Sequence, residues 1–356
     1  MSISQTDKVI FAIFFCFIGV FGLIANLFIL IAVRISKIYR NYPSTLYLYN
    51  ILVINVLACL YEVPYHLFCL VGSLPAQSKT SYETACRINV FLFYFLSSIK
   101  INLLTVMSVD RFIAIQFPYV YIQRVSKQKV YITLVLTWII TSVFVAPLSI
   151  ENGISGYIGL TGTCCGVFWA KVNPAFYYLA GIVTFVLPAL IMIVTNVRVY
   201  IVARKNHRAI RDEGIRVNRS CTPAVEIEFG DQATRNGERC CSDASEGNTA
   251  AATSMPIPAQ AAAVGQPRME ESAQGYSIEW SIVTSTLLLV LTFFVTWLPF
   301  FGSRFNQVVL GQALGNRAIL YALAPTLLAI VLNPLIIFGT RKKLRKFCFG
   351  LFTKSE

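Results

Sequence analysis

The sequence predicts an all-α membrane protein, a seven-transmembrane helix bundle with a short amphipathic helix after the seventh span. Of the 356 residues, 56% are hydrophobic and only 13% are charged, whereas a soluble domain usually carries about 25% charged residues. Seven apolar runs are long enough to cross a bilayer, because a spanning helix needs roughly 20 mostly apolar residues. We number these runs spans 1 to 7, and they cover about 9–34, 45–71, 88–115, 129–149, 175–203, 280–303 and 318–339.

Each span is predicted to be a helix, because lipid offers no hydrogen-bond partner for an open backbone. Span 1 is too long, and too poor in a small-residue cleavage site, for a signal peptide, so it predicts a signal anchor that is retained. Residues 1–8 form a short head, and 341–356 form the amphipathic helix and the tail. A long connection at 206–278 separates spans 1–5 (9–205) from spans 6 and 7 (279–340). Its small, polar composition predicts a largely disordered cytoplasmic loop.

The net charge of +13 has a distribution typical of membrane topology and not of nucleic-acid binding. Lysine and arginine cluster after spans 1, 3, 5 and 7, at 34–40, 124–129, 204–211 and 341–346. The positive-inside rule therefore predicts an extracellular N-terminus and a cytoplasmic C-terminus for a multi-pass protein of the plasma membrane. We expect membrane lipid around the spans and no nucleic-acid partner.

The cysteines and histidines do not predict a metal site. Most of the ten cysteines lie in apolar helices or on the cytoplasmic side, no C-x-x-C motif occurs, and there are only two histidines. No nucleophile motif appears either, so we expect no metal, no cofactor and no enzymatic activity. Cys348, in the basic and apolar stretch after span 7, is either a palmitoylation site or a free thiol.

Every span also carries a marker, and the markers occur in a characteristic order. They are Gly22 and Asn26; Asn50, Asn55 and Pro64; Cys86 and Asp110-Arg111-Phe112; Trp138; Pro188; Phe293, Trp297 and Pro299; and Asn333-Pro334. With these markers the sequence resembles the rhodopsin-like (class A) G protein-coupled receptors, over the whole chain except the long loop and the tail. The resemblance implies a receptor, without an assigned ligand, that binds an extracellular ligand and transmits the signal to a heterotrimeric G protein.

The resemblance also implies roles for individual residues. Arg111 would meet the G protein, with Asp110 beside it. Glu279 lies 18 residues, or five full helical turns, before Trp297, and it is either the second half of an ionic lock with Arg111 or an ordinary interfacial charge. Cys86 would form a disulfide bond with Cys165 or Cys164, and both partners stay open. The activation hinge would consist of Phe293, Trp297, Pro299 and Pro334.

Span 3 contains a lysine, Lys100, about halfway across the membrane. It lies 11 residues before Arg111, only about 20° from the same helix face. We expect it to point into the bundle, because a charge facing lipid costs on the order of 2.5–3.5 kcal/mol. Receptors of this kind hold a sodium ion here, and we expect the Lys100 ammonium to replace it, with Asn55 and Asn333 as acceptors and Glu62 neutralising the charge. The alternatives are a neutral lysine or one that reaches a water-filled cavity.

The residues at the positions where related receptors bind their ligands exclude some ligand classes but do not identify the ligand. The position of the amine-binding aspartate is Phe93 and the position of the retinal-binding lysine is Leu327, so neither a typical amine nor retinal is expected. Arg304 resembles a pocket cation in receptors for anionic ligands, and the alternative is a solvated charge at the rim. The candidate pocket residues are Phe93, Tyr94, Tyr177, Phe301, Arg304 and Tyr321.

Two positions depart from the family pattern in a way that concerns signalling. Asn196 and Ile337 stand where the family usually has tyrosines. Because these tyrosines are absent, one alternative is a seven-helix scaffold or decoy that does not signal. A transporter that uses Lys100 in an ion path is a second, less favoured alternative, because no internal repeat stands out.

Overall fold

The structure, a computed structural model, describes residues 3–36, 43–71, 79–149, 158–161, 164–167, 174–220, 265–309 and 315–353, with the backbone alone for the strands and several helix ends. Its contacts define a large unit, Met1–Tyr200 with Ile278–Glu356, and a second unit, Ile201–Ser277. Seven helices in the described ranges are long and apolar enough to cross a membrane. The predicted fold class is therefore confirmed.

The spans consist of the following helices. Span 1 is Gln5–Ile35; span 2 is Thr45–Leu60 and Glu62–Val71; span 3 is Lys79–Gln116; span 4 is Lys127–Val145; span 5 is Pro174–Gly181, a π-helical turn at Ile182–Val186, and Leu187–Ser220; span 6 is Gly265–Val309; and span 7 is Asn316–Thr340. The helices of spans 5 and 6 continue into the predicted loop, whose middle, 221–264, lies outside the described residues.

Four shorter elements complete the described chain. Helix Pro118–Arg124 joins spans 3 and 4, and a 3₁₀ turn at Ala146–Ser149 ends span 4. Strands Ile158–Thr161 and Cys164–Val167 pair antiparallel between spans 4 and 5. Helix Lys342–Thr353 follows span 7.

Prolines account for the irregular turns in spans 2 and 5. A proline has no backbone N–H, and its ring clashes with the carbonyl group four residues earlier. The helix of span 2 is interrupted at Tyr61 (φ −121°, ψ −61°), three residues before Pro64. Span 5 widens into the π-helical turn Ile182–Val186 just before Pro188. Both prolines thus interrupt the regular α-helical hydrogen bonding of their spans.

Asn26 connects spans 1, 2 and 7 in the interior. Its Nδ2 donates to the carbonyl oxygens of Gly22 at 2.7 Å and Ile330 at 2.9 Å. Its Oδ1 accepts a hydrogen bond of 3.1 Å from Asn55 Nδ2. The Ile330 carbonyl lacks its usual helical donor, because the residue four positions later, Pro334, has no N–H. Asn26 therefore satisfies a backbone acceptor that lipid could not.

Gly22 allows the same three spans to approach closely. A Cβ atom at this position would lie 3.0 Å from Ile330 Cγ2 and 3.2 Å from Cys59 Sγ. A larger residue would therefore push spans 2 and 7 away from span 1, and with them the polar contacts of Asn26.

The outer surfaces of the spans are apolar, as lipid contact requires. In span 1, Ile13, Phe17, Val20 and Ile24 are largely exposed and recur every three or four residues, which places them on one helix face. The C-terminal helix is amphipathic, with Leu344 and Cys348 buried and Phe349 exposed among its basic residues. This pattern is typical of a helix that lies in the membrane interface.

Candidate ligand cavity and inner arginine cluster

A cavity of about 460 Å³ lies between spans 3, 4, 5 and 6. Pockets for small molecules are usually about 300–1,000 Å³ and mostly apolar, so its size suits a small ligand. Its walls are mostly apolar, and the aromatic residues among them are Tyr94, Phe144, Tyr178, Phe185, Trp297, Phe300, Phe301 and Phe305. Three of the six residues predicted to form the ligand pocket line it, namely Tyr94, Phe301 and Arg304.

A row of aromatic rings in contact leads from this cavity along span 6. Phe185, in the π-helical turn of span 5, stacks on Phe301 with ring centroids 3.6 Å apart. Phe301 lies 5.7 Å from Trp297, and Trp297 lies 6.1 Å from Phe293. Pro299 lies inside this continuous helix. The residues predicted to form the hinge of span 6 are therefore in contact with the cavity wall.

Two polar side chains give the cavity its chemical character. Ser97 is 4% exposed, and its hydroxyl has no hydrogen-bond partner among the residues described. The guanidinium carbon of Arg304 lies 4.9 Å from the centroid of the Phe300 ring, a cation–π geometry. Within the described lining, Arg304 is the one charged residue.

The other predicted pocket residues have different surroundings. Phe93 does not line the cavity and instead packs against the rings of His66 at 5.8 Å and Phe300 at 5.9 Å. The side chain of Tyr177 lies outside the described part of span 5.

Tyr321 belongs to a contact between spans 1 and 7. Its hydroxyl donates to Asp7 Oδ1 at 3.2 Å, and Arg317 Nε lies 3.0 Å from Asp7 Oδ2. Sequence reasoning missed this contact, because the pairing depends on how the ends of two distant helices meet.

Lys100 is buried in the bundle, with 9% of its surface exposed. It interacts electrostatically with Glu62, which is 3% exposed. No hydrogen bond joins Lys100 to Glu62, Asn55 or Asn333, although the structure describes all four side chains. Asn55 donates to Asn26 instead, and in the described chain Asn55 Oδ1 and Glu62 Oε1 accept no hydrogen bond. The replacement of sodium by Lys100 stays a prediction.

Arg111 is held near the C-terminal end of span 3 by two neighbours. Its Nη2 donates to the hydroxyl of Ser44, at the start of span 2, and lies 3.3 Å from Asp110 Oδ2. The hydroxyl of Tyr121 donates to Asp110 Oδ1 at 3.0 Å. The side chain of Glu279 lies outside the described residues, so the ionic lock stays a prediction. Sequence reasoning missed Ser44 and Tyr121, for which no motif exists.

The cluster around Arg111 favours a protonated Tyr121. Burial raises the pKa of Tyr121, and the negative charge of Asp110 raises it further. Arg111 also faces a small cavity that it shares with the buried Arg341 and the hydroxyl groups of Ser44, Thr45 and Thr286. This end of the bundle therefore presents cationic and hydroxyl groups.

Polar contacts join span 3 to span 5 and span 6 to span 7. Asn196, at one of the positions where the family usually has a tyrosine, donates to Ser108 Oγ at 2.9 Å. Ser281 donates to the Thr340 carbonyl at 2.6 Å. Ile337, at the other tyrosine position, is fully buried.

The cysteines predicted to have roles are only partly described. Cys86 is buried and disulfide-bonded. Its predicted partners, Cys164 and Cys165, lie on a strand that contacts span 3, but the structure describes only the backbone of these two residues. The Cys348 thiol is free, and burial raises its pKa. Palmitoylation of Cys348 stays a prediction.

Comparison with known proteins identifies the family. The family described as 7 transmembrane receptor (rhodopsin family) matches residues 25–336. The chain is 21% identical to a cholecystokinin receptor of Xenopus laevis over 352 residues, which is 94% of this chain and 74% of that protein. It is 30% identical to the histamine H2 receptor of Homo sapiens over 195 residues, 52% of this chain and 50% of that protein.

A solved structure shows the same fold. Squid rhodopsin superimposes with a TM-score of 0.73 at 13% sequence identity, covering 100% of this chain and 88% of that chain. Taken with the family match, the chain belongs to the rhodopsin family of seven-transmembrane receptors. It is a multi-pass receptor of the plasma membrane and not an enzyme.

Proposed function

We propose that this receptor binds a small extracellular ligand in the cavity between spans 3 to 6 and transmits the signal to a heterotrimeric G protein through Arg111. One observation carries the proposal. Span 3 lines the cavity with Tyr94, Ser97, Ser98 and Ile101, and the same helix presents Arg111 at its other end. The basic inner connections support the orientation, with the cavity on the extracellular side.

The proposed mechanism is a shift between two states of span 6. A ligand that touches Phe301 and Trp297 would favour a state in which span 6 bends at Pro299 and its inner end moves outward. A ligand can shift the equilibrium only by its difference in affinity for the two states. In the proposed active state, Arg111 leaves Ser44 and meets the G protein.

Further residues have roles within this proposal. Phe293 and Pro334 complete the hinge, and Glu279 pairs with Arg111 in the inactive state. Both usual tyrosines are absent, so Asn196 and its bond to Ser108 provide the polar contact between the inner halves of spans 3 and 5. Arg111 remains the residue on which coupling depends.

The experiment measures G protein dissociation in cells with increasing amounts of receptor at the surface. We expect a basal signal that rises with receptor level and is lost in Arg111→Ala. The matched control is Arg34→Ala, since Arg34 is an exposed arginine at the inner end of span 1. If the native chain gives no signal with any class of Gα subunit, or if Arg111→Ala signals equally well, the coupling proposal is wrong and a non-signalling receptor is favoured.

A further inference from the structure

We infer that the ligand of the cavity is an aromatic monocarboxylic acid whose carboxylate pairs with Arg304. The inference rests on the proposed function, because it names the ligand class of the same cavity. It is carried by the apolar walls, by the charge of the lining and by the distribution of acidic residues along the chain.

The walls select an aromatic skeleton. The rings of Phe185 and Phe301 stack at the cavity, and Trp297 and Phe300 continue this surface with ring centroids 5.6 Å apart. Aromatic rings pack well against such faces, in stacked or edge-to-face geometry. A volume of about 460 Å³ accommodates a bicyclic ring system with a short side chain, whereas a peptide would extend beyond it.

The charge of the lining selects an anion. Spans 3 to 6 supply the walls. The parts of these spans that could cross a membrane are Cys86–Gln116, Lys127–Val145, Tyr178–Lys205 and Ser281–Asn306, and they contain very few acidic residues. Residues 86–149 contain one, Asp110, and residues 152–211 and 280–355 contain none. Asp110 lies at the inner end of span 3 and is paired with Arg111. No acidic residue belongs to the described lining of the cavity, so a cationic ligand would find no carboxylate there, whereas an anionic ligand would find Arg304.

The surroundings of Arg304 favour a single negative charge. Its guanidinium group lies over the Phe300 ring, and this planar group binds a carboxylate with two parallel hydrogen bonds. In the described lining it has no second cation beside it, so a phosphate with about two negative charges would be only half neutralised. The buried Ser97 hydroxyl supplies one further hydrogen bond for a polar substituent on the ligand.

The test uses three probes with one skeleton: 4-(2-naphthyl)butanoic acid, its primary amide, and 4-(2-naphthyl)butylamine. The readout is the melting temperature of purified full-length receptor as a function of probe concentration, which does not require a G protein. We expect the acid to bind the native receptor best. Arg304→Gln should weaken acid binding at least tenfold and leave amide binding nearly unchanged.

Two further variants are controls. One tests whether loss of any arginine changes the preference for the acid, and the other tests whether the probes bind in the cavity. Arg317→Gln removes another outer arginine, one that pairs with Asp7 away from the cavity, and it should retain the preference for the acid. Ser97→Phe fills the cavity and should abolish binding of all three probes.

Three results would overturn the inference. In the first, the amine or the amide stabilises the native receptor as well as the acid does. In the second, the preference for the acid persists in Arg304→Gln. In the third, the acid does not stabilise the native receptor. Failure of the proposed function would look different. The acid would then bind with the expected dependence on Arg304, but no G protein would dissociate in the comparison of the native chain with Arg111→Ala.

Discussion

Asn196 on span 5 donates a hydrogen bond of 2.9 Å to the hydroxyl of Ser108 on span 3. Each side chain also bonds its own helix, Asn196 to the Met192 carbonyl and Ser108 to the Leu104 carbonyl, both at 2.8 Å. The two side chains therefore link the backbones of two spans through a buried polar bridge. A polar side chain in lipid surroundings is stabilised when it finds such a partner.

We predict that this bridge contributes about 1 kcal/mol to the free energy of unfolding, as one buried hydrogen bond does. The measurement is a double-mutant cycle with Asn196→Ala and Ser108→Ala on detergent-solubilised receptor. Thr195→Ala is a matched control, because among the described residues Thr195 bonds within its own helix, to Ile191 and Met192. Strictly additive effects of the two substitutions would show that the bridge contributes nothing.

Tyr121 gives a prediction about pH. Its pKa is raised in the folded receptor from an ordinary value of about 10. Below pH 10, Tyr121 is protonated in the folded and unfolded states, and its contribution to stability is fully present. Above pH 10, the unfolded state loses the proton more readily, so the free energy of unfolding falls as the pH rises.

The measurement compares unfolding of the native receptor and Tyr121→Phe between about pH 8 and 11, a range that brackets the ordinary tyrosine pKa. We expect the native receptor to lose more stability across this range than the variant does. Tyr119→Phe is the control, since Tyr119 lies on the same short helix and is 82% exposed. Parallel pH curves for all three proteins would contradict the assignment.

Lys100 and Glu62 provide a prediction about buried charge. Each is almost fully buried, and Lys100 acts electrostatically on Glu62. Glu62→Gln leaves the ammonium without a counter-charge, and Lys100→Met leaves the carboxylate alone. Removing one partner leaves the other charge buried and uncompensated, so we expect both single variants to be less stable than the native receptor. The double variant should be more stable than either single variant, and a double variant that is the least stable of the three would contradict the pairing.

Sodium dependence tests whether Lys100 replaces the ion. We predict that exchanging sodium for N-methylglucamine at constant ionic strength leaves the melting temperature of the native receptor unchanged. Lys100→Ser vacates the position and should introduce stabilisation by sodium. A native receptor that is stabilised by sodium, with the effect lost in Asn55→Ala, would show that the ion still binds beside the lysine.

The sequence predicted the fold because each span is a long apolar run, and lipid leaves such a run little choice but a helix. It also predicted that Lys100 faces the interior, since helical geometry fixes its angle relative to Arg111. Trp297 and Pro299 could be assigned to span 6 for the same reason, because their spacing determines which turn they occupy.

The contacts of these residues could not be predicted from the sequence. Ser44 meets Arg111 only because the start of span 2 approaches the inner end of span 3, across 67 residues of sequence. The long Lys100 side chain has several rotamers, so its angle on the helix did not determine which acceptor it meets. The sequence shows that Pro334 leaves the Ile330 carbonyl without its helical donor. It does not show that Asn26 is the replacement donor, because that contact depends on the close packing of the spans beside Gly22.

We propose that the cavity between spans 3 to 6 and Arg111 belong to one switch. The most direct test measures basal G protein dissociation for the native receptor, Phe301→Ala, Arg111→Ala and the double variant, at equal surface levels. Removing the Phe301 ring breaks its stack with Phe185 and loosens span 6. We predict that Phe301→Ala raises the basal signal and that the double variant is silent. A basal signal unaffected by Phe301→Ala, or one that persists in the double variant, would contradict the account.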